Sequence, residues 1–265
     1  MNVLDIDLDF FLDESVSDRS DDPANRPDEY GIVPWPAADV TDFLENTLNL
    51  KMNTSGAVVQ SHHEVFYQWK KLIEAQQLIV PFKVVHVDAH SDLGMGSTSW
   101  TYLQSDFLSR DLNDRPNAPQ GDDGINFGSF LAFAFGCRWI SAADFVTNDN
   151  WHDDIPRNLL SQDSYELVKE RAPMSVLPYG DYDLEIEIMR TPRWDYETCT
   201  WNIMEVRTPI GEPRVPFNIV SLENVGHRYS NTKWDYVFLS HSPGYVPSYA
   251  DHLLGHIGKY IQSGS

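Results

Sequence analysis

The sequence predicts an α/β fold built on a mostly parallel sheet, and three observations predict it. Phe82-Lys83-Val84-Val85-His86-Val87-Asp88 is an apolar, β-branched run with the character of a buried strand. Ahead of it, Ala57-Val58-Val59-Gln60 reads as a short strand, and a helix follows with Val65, Phe66, Trp69, Leu72 and Ile73 at helical spacing. Strand, helix and strand at this spacing form a βαβ unit, which implies parallel pairing and a right-handed crossover. A further strand, Lys233 to Leu239, carries Trp234, Tyr236, Val237, Phe238 and Leu239.

The remaining elements follow in chain order. Val3-Leu4-Asp5-Ile6-Asp7-Leu8-Asp9-Phe10-Phe11 alternates aspartate with apolar residues. Like charges two residues apart on one strand face repel each other, and a cation beside them relieves the repulsion. Residues 13–39 are rich in Asp, Pro and Ser and read as a long loop, a type that is usually functional or disordered. Asp39 to Asn49 shows an amphipathic helix with Val40, Phe43, Leu44 and Leu48 on one side. A Gly/Ser loop follows Asp92 as far as Trp100, and residues 101–124 read as irregular. Asn126 to Phe135 is a buried helix or a wall of the site, Arg138 to Val146 a strand, and Ser164 to Arg171 a helix. Residues 183–225 suggest strands or hairpins that either form an insertion or complete the sheet. Ser248 to Ile261 closes the pattern as a helix with Leu253, Leu254, Ile257 and Ile261 inward. No repeat or low-complexity boundary interrupts this order, so residues 1–265 are expected to form one domain.

Composition narrows the function. Hydrophobic residues make up 42% of the chain and aromatics 12%, enough to fill a core. A formal charge of −21 repels nucleic acid and anionic membranes and attracts cationic ligands or peptides. Only Cys137 and Cys199 are present, which excludes a disulfide framework and a cysteine-rich zinc site. Met1-Asn2 leads straight into an acidic strand with no positively charged leader, and no apolar run approaches the ~20 residues of a membrane span. The expected location is cytoplasmic.

Three strand ends carry residues of metal-ligand type. They are Asp7 and Asp9, the His62-His63 junction before the helix, and Asp88, His90 and Asp92. Alternate residues of an extended chain leave on one face, so Asp88, His90 and Asp92 are expected to converge just past the strand. The carboxyl edge of a parallel sheet is where ligands bind. Four carboxylates and two imidazoles exceed what one divalent ion needs and fit two ions bridged by carboxylates. An oxygen-rich set suits Mn²⁺ better than Zn²⁺. His63-Glu64-Val65-Phe66-Tyr67 excludes a zincin helix, since Tyr67 stands where the second histidine belongs. A calcium loop is excluded by its missing glycine and terminal glutamate.

These residues resemble a known superfamily. Asp88-Ala89-His90-Ser91-Asp92 resembles the Asp-Ala-His-x-Asp signature of the arginases and deacetylases, and Asp7-Leu8-Asp9 resembles their Asp-x-Asp strand end. His62-His63-Glu64 is similar to their Gly-Gly-Asp-His turn without its glycines. The combination is most similar to the atypical arginases that convert arginine side chains of ribosomally made peptides to ornithine and urea. The resemblance implies a three-layer α-β-α fold, arginase-like, with the Asp-x-Asp strand permuted to the start of the chain. It also implies two Mn²⁺ ions held by Asp7, Asp9, Asp88, His90 and Asp92 together with one of His62 or His63, of which His62 is favoured. Asp5, further into its strand, is expected to be structural. His241, after the strand at 234–239, is the candidate proton shuttle or else a turn cap. Glu205 is a candidate for gripping the guanidinium, and Asn126 for contacting substrate.

Three function classes follow as expectations. The first is a peptide arginase with an arginine-containing peptide as its partner. The second is a zinc- or other metal-dependent deacetylase of acyl-lysine or acyl-polyamine. The third is a non-catalytic acidic module that binds basic peptides around a structural cation.

Overall fold

A computed structural model describes residues 1–16, 22–94, 99–172, 176–190, 194–195, 200–201 and 211–263. Its main sheet is built from β1 (Asn2–Asp7), β2 (Thr54–Val59), β3 (Phe82–Val87), β4 (Ile140–Thr147), β5 (Tyr182–Ile186), β8 (Val215–Ser221), β9 (Tyr236–Ser240) and β10 (Ile261–Ser263). A separate two-stranded ribbon pairs β6 (Trp194–Asp195) with β7 (Thr200–Trp201). The eight strands run in the order β10-β2-β9-β1-β3-β4-β8-β5. Every neighbouring pair is parallel except β5 with β8. The chain is thus α/β with a mostly parallel sheet, as its sequence predicts.

Helices cover both faces. Side chains of successive strand residues point to opposite faces, and the core divides accordingly. Val3, Phe82, Val84 and Phe238 pack on one side with α2 (Glu64–Glu74), through Val65, Phe66 and Trp69, and with α4 (Phe130–Gly136). Leu4, Ile6, Val85, Val87, Val237 and Leu239 pack on the other side. Their partners there are Val40 of α1 (Ala37–Asp42), the following turn with Phe43 and Leu44, Val225 of α6 (Leu222–Tyr229), and Leu253 and Ile257 of α7 (Asp251–Gly258). This is a three-layer arrangement. The other two α-helices are α3 (Ser99–Ser105) and α5 (Gln162–Arg171). The latter starts where Ser161 Oγ accepts the Ser164 N–H at 3.3 Å, a cap that satisfies an otherwise orphan donor.

Strand β1 lies in the middle of the sheet, and Val3 to Asp7 are all buried. Two aspartates therefore sit inside the protein. On its far flank β2 approaches β9 so closely that a Cβ at Gly56 would lie 1.6 Å from the Val237 carbonyl oxygen, so only glycine fits there.

Three expectations change. Strands β2 and β3, joined through α2, are parallel but not adjacent, because β9 and β1 lie between them. The stretch 183–225 contributes β5 and β8 to the main sheet and ends in a helix, α6, rather than in further strand. The strand at 82–88 stops at Val87, so Asp88, His90 and Asp92 occupy a turn.

Candidate metal centre

The carboxyl ends of β2, β9, β1 and β3 lie side by side, and each delivers part of one buried cluster. From β1 come Asp5 and Asp7, and Asp9 follows in a 3₁₀ turn spanning Leu8–Phe11. The Asp7 side chain caps that turn by accepting the Asp9 N–H at 3.2 Å. His62 enters from the junction after β2. His86 lies within β3, and Asp88, His90 and Asp92 come from the turn beyond it. After β9, Ser242 Oγ donates to Asp7 Oδ2.

Asp92 and Ser242 have φ of 50° and 48°, a left-handed conformation uncommon for residues other than glycine. Such strain concentrates at functional sites. At Asp92 it folds the turn back, so the carboxylate returns to the cluster although the chain has left the strand. The turn is pinned from outside by Asp154, which is half-buried. Ser91 N–H donates to Asp154 Oδ2 at 2.6 Å, and Trp151 Nε1 donates to Asp154 Oδ1 at 3.1 Å.

Around one ring nitrogen the geometry is unusual. His62 Nδ1 lies 3.0 Å from Asp7 Oδ2, 3.0 Å from Asp88 Oδ2 and 2.8 Å from Asp92 Oδ2. Beside it, His90 Nδ1 lies 2.9 Å from Asp9 Oδ2 and 3.8 Å from Asp88 Oδ1. One nitrogen cannot satisfy three carboxylates. Asp88 Oδ2, Asp92 Oδ2 and His90 Nε2 are buried without a hydrogen-bond partner. Buried polar atoms of this kind call for an explanation, an ion among them. The groups Asp7–His62–Asp88 and Asp9–Asp88–His90 each bring three ligand atoms together, as do His86–Asp88–Asp92 and Asp5–His62–His86, and the cluster could hold a metal ion.

The electrostatics agree. Burial pushes the Asp88 carboxyl well above the usual carboxylate range, and the charges of Asp9, Asp92 and Asp7 push it further. Burial also raises Asp92. Burial would raise Asp5 and Asp9 as well, but the histidines beside them prevail, holding Asp5 at about 2 and Asp9 below its ordinary value. Burial works against a proton on His62 and His90, yet the facing aspartates raise both rings well above the ordinary imidazole value. The cluster draws positive charge to itself, whether as protons on its histidines or as a metal cation competing for the same atoms.

Of the pair at the β2–α2 junction, His62 is in the cluster and His63 is not. His63 Nδ1 shares a hydrogen bond with Ser61 Oγ at 2.8 Å, and its Nε2 faces Gln120. Both nitrogens of His241 are engaged outside the cluster, Nδ1 with the Gln60 amide at 3.2 Å and Nε2 with Asp251 Oδ1 at 2.8 Å. Asn126 spends its amide on its own loop, donating to the carbonyls of Gly121, Asp122 and Gly124 and accepting from Gly128 N–H. Glu205 lies outside the described residues.

The sequence reading missed His86 and Asp154 altogether and assigned Asp5 only a structural place. A signal existed for Asp5, the third aspartate on one strand face. Among the described residues no helix is long and apolar enough to cross a membrane. No protein-family model and no curated protein matches the chain.

Proposed function

We propose that the chain is a binuclear manganese hydrolase that converts arginine side chains of a peptide to ornithine and releases urea. One observation carries the reading: Asp88 belongs to both the Asp7–His62–Asp88 and the Asp9–Asp88–His90 groups. A carboxylate common to two ligand sets is what a bridge between two cations requires. Asp92 completes the first set from 2.8 Å.

The spacing favours an octahedral ion. Ligands about 2.1 Å from an octahedral centre lie about 3 Å from one another. The contacts of His62 Nδ1 with Asp7, Asp88 and Asp92 fall between 2.8 and 3.0 Å. Carboxylate-rich octahedral sites suit manganese better than zinc. The pairing of β1 with β3 sets Asp-x-Asp beside Asp-Ala-His-x-Asp, which is what the permuted arginase-like reading needs.

Bound there, a pair of divalent cations would acidify a water at neutral pH and supply the nucleophile for a guanidinium carbon. The chain's own residues do the rest. Tyr245 packs edge-on against His90, with ring centroids 5.2 Å apart, and tilted against Phe127 at 5.7 Å, so aromatic rings that could pack on a planar cation stand next to His90. The net charge of −21 favours the approach of a basic peptide. His241 immediately precedes Ser242, and it could pass a proton toward the departing amine only by turning its ring away from Gln60 and Asp251, which hold it outside the cluster.

The test is incubation with Mn²⁺ and arginine-containing peptides, with free arginine alongside. The expected product has lost the mass of cyanamide at each modified arginine, with an equal yield of urea. Protein that carries two manganese ions yet leaves every arginine intact overturns the reading. One zinc per chain with turnover of acyl-lysine replaces it by a deacetylase.

A further inference from the structure

Beneath the cluster lies a second layer of ionisable groups, and it is closed. The register of β1 on β3 sets Asp5 directly opposite His86. Both side chains are wholly buried. The Asp5 carboxylate lies 2.9 Å from His86 Nδ1 and 3.2 Å from His62 Nε2 through each of its oxygens. His86 Nε2 donates to the His90 carbonyl oxygen at 3.1 Å and faces Asp88 Oδ2 at 3.2 Å. The rings of His62 and His86 stack 5.2 Å apart at 21°, Phe130 packs on His62 at 4.7 Å, and Phe145 packs on His86 at 5.5 Å. Asp88, His86, Asp5 and His62 therefore form a closed ring of contacts whose members are all buried.

Ligand-type residues in a metal site divide by which of their atoms are already satisfied. Asp5 and His86 find hydrogen-bond partners within the protein. The atoms left without partners are Asp88 Oδ2, Asp92 Oδ2 and His90 Nε2, all on the turn above. We propose that Asp5 and His86 are positioning residues of the centre rather than ligands. Asp5 accepts the Nε2 hydrogen of His62, which leaves the Nδ1 lone pair facing Asp7, Asp88 and Asp92. His86 fixes the shared carboxylate of Asp88 and, through the His90 carbonyl, the turn that carries it. Partners of this kind behind a metal-binding imidazole set its tautomer and orientation. The inference rests on the two-cation reading of the centre and not on arginine chemistry.

The experiment measures Mn²⁺ stoichiometry and affinity by equilibrium titration for wild type, Asp5→Asn and His86→Gln, with folding checked by circular dichroism. Wild type is expected to bind two ions. Each variant is expected to bind two ions about 10–100-fold more weakly, with an altered visible spectrum after Co²⁺ substitution. Loss of one whole ion in His86→Gln would make His86 a ligand and overturn the proposal, as would unchanged affinity in both variants. A wild type that binds fewer than two ions overturns the two-cation reading instead. Should either variant fail to fold, ¹⁵N-histidine NMR of Zn²⁺-loaded wild type decides the matter. Hydrogen on His62 Nε2 supports the proposal, and hydrogen on Nδ1 overturns it.

Discussion

Asp88 meets His62 at 3.0 Å through one carboxylate oxygen and turns the other toward His90 Nδ1, 3.8 Å away. Both groups depend on it. Asp88→Asn removes the charge but keeps the shape, so Mn²⁺ affinity is expected to fall more than about 100-fold, beyond the usual effect of an outer-shell change. Urea release should fall to background. Metal analysis after desalting and a urea assay check both.

The neighbouring histidines should separate cleanly. His62→Ala takes away the nitrogen on which three carboxylates converge and is expected to abolish binding of at least one ion. His63→Ala removes contacts with Ser61, Gln120 and Tyr67, all outside the cluster, and should leave stoichiometry and affinity as in wild type. Parallel titrations with Mn²⁺ read the difference.

Asp5, Asp7, Asp9, Asp88 and Asp92 are buried together, and a bound cation relieves their mutual repulsion. If the cluster binds Mn²⁺, the ion at about 100 times its dissociation constant would contribute ~2.7 kcal/mol to the native state. For a chain of this size that is a rise of about 5–10 °C in Tm. Differential scanning fluorimetry with Mn²⁺, and again after EDTA, should show the rise and its reversal.

Away from the site, Glu212 is 6% exposed and bridges Arg115 at 2.8 Å and Arg138 at 2.7 Å. Burial alone would raise its carboxyl, but the two guanidinium groups outweigh burial and hold it below the ordinary glutamate value of 4.5. A depressed carboxyl stabilises the fold above its unfolded pKa, and the contribution disappears as pH drops through the lower folded value. Glu212→Gln strands Arg115, so it should cost about 2–4 kcal/mol at pH 7. The gap should narrow below about pH 4.5 as wild type itself takes up the proton. Urea unfolding of both proteins across pH 3–8 measures it.

How far these groups could be read from the sequence depends on how local their partners are. Asp88, His90 and Asp92 were legible because ligand types directly follow an apolar strand. Their convergence was expected from extended alternation, whereas the structure achieves it with a turn and a left-handed Asp92. His86 was illegible. It sits inside the apolar run, and the Asp5 that gives it meaning lies 81 residues away. Asp154 reads as one more acidic residue in a polar loop, and it is the contact with Ser91, 63 residues distant, that ties it to the turn of the site. Helix α6 was hidden by its approach: Val215-Pro216-Phe217 argues for strand, and the helix is short. Even so, Leu222, Val225 and Tyr229 carry helical spacing.

The central strand has a consequence for biosynthesis. Leu4 aligns with Val85 on one side and with Val237 on the other. At ribosomal speeds of about 5–20 residues per second, the second neighbour emerges on the order of 10–50 s after β1. Throughout that interval a sticky, aspartate-bearing ribbon lacks one flank, an invitation to misassociation and to chaperone engagement. A cation would then meet a finished cage only once β9 has been made, and nascent chains stalled before β9 should neither capture the ion nor escape the quality-control machinery.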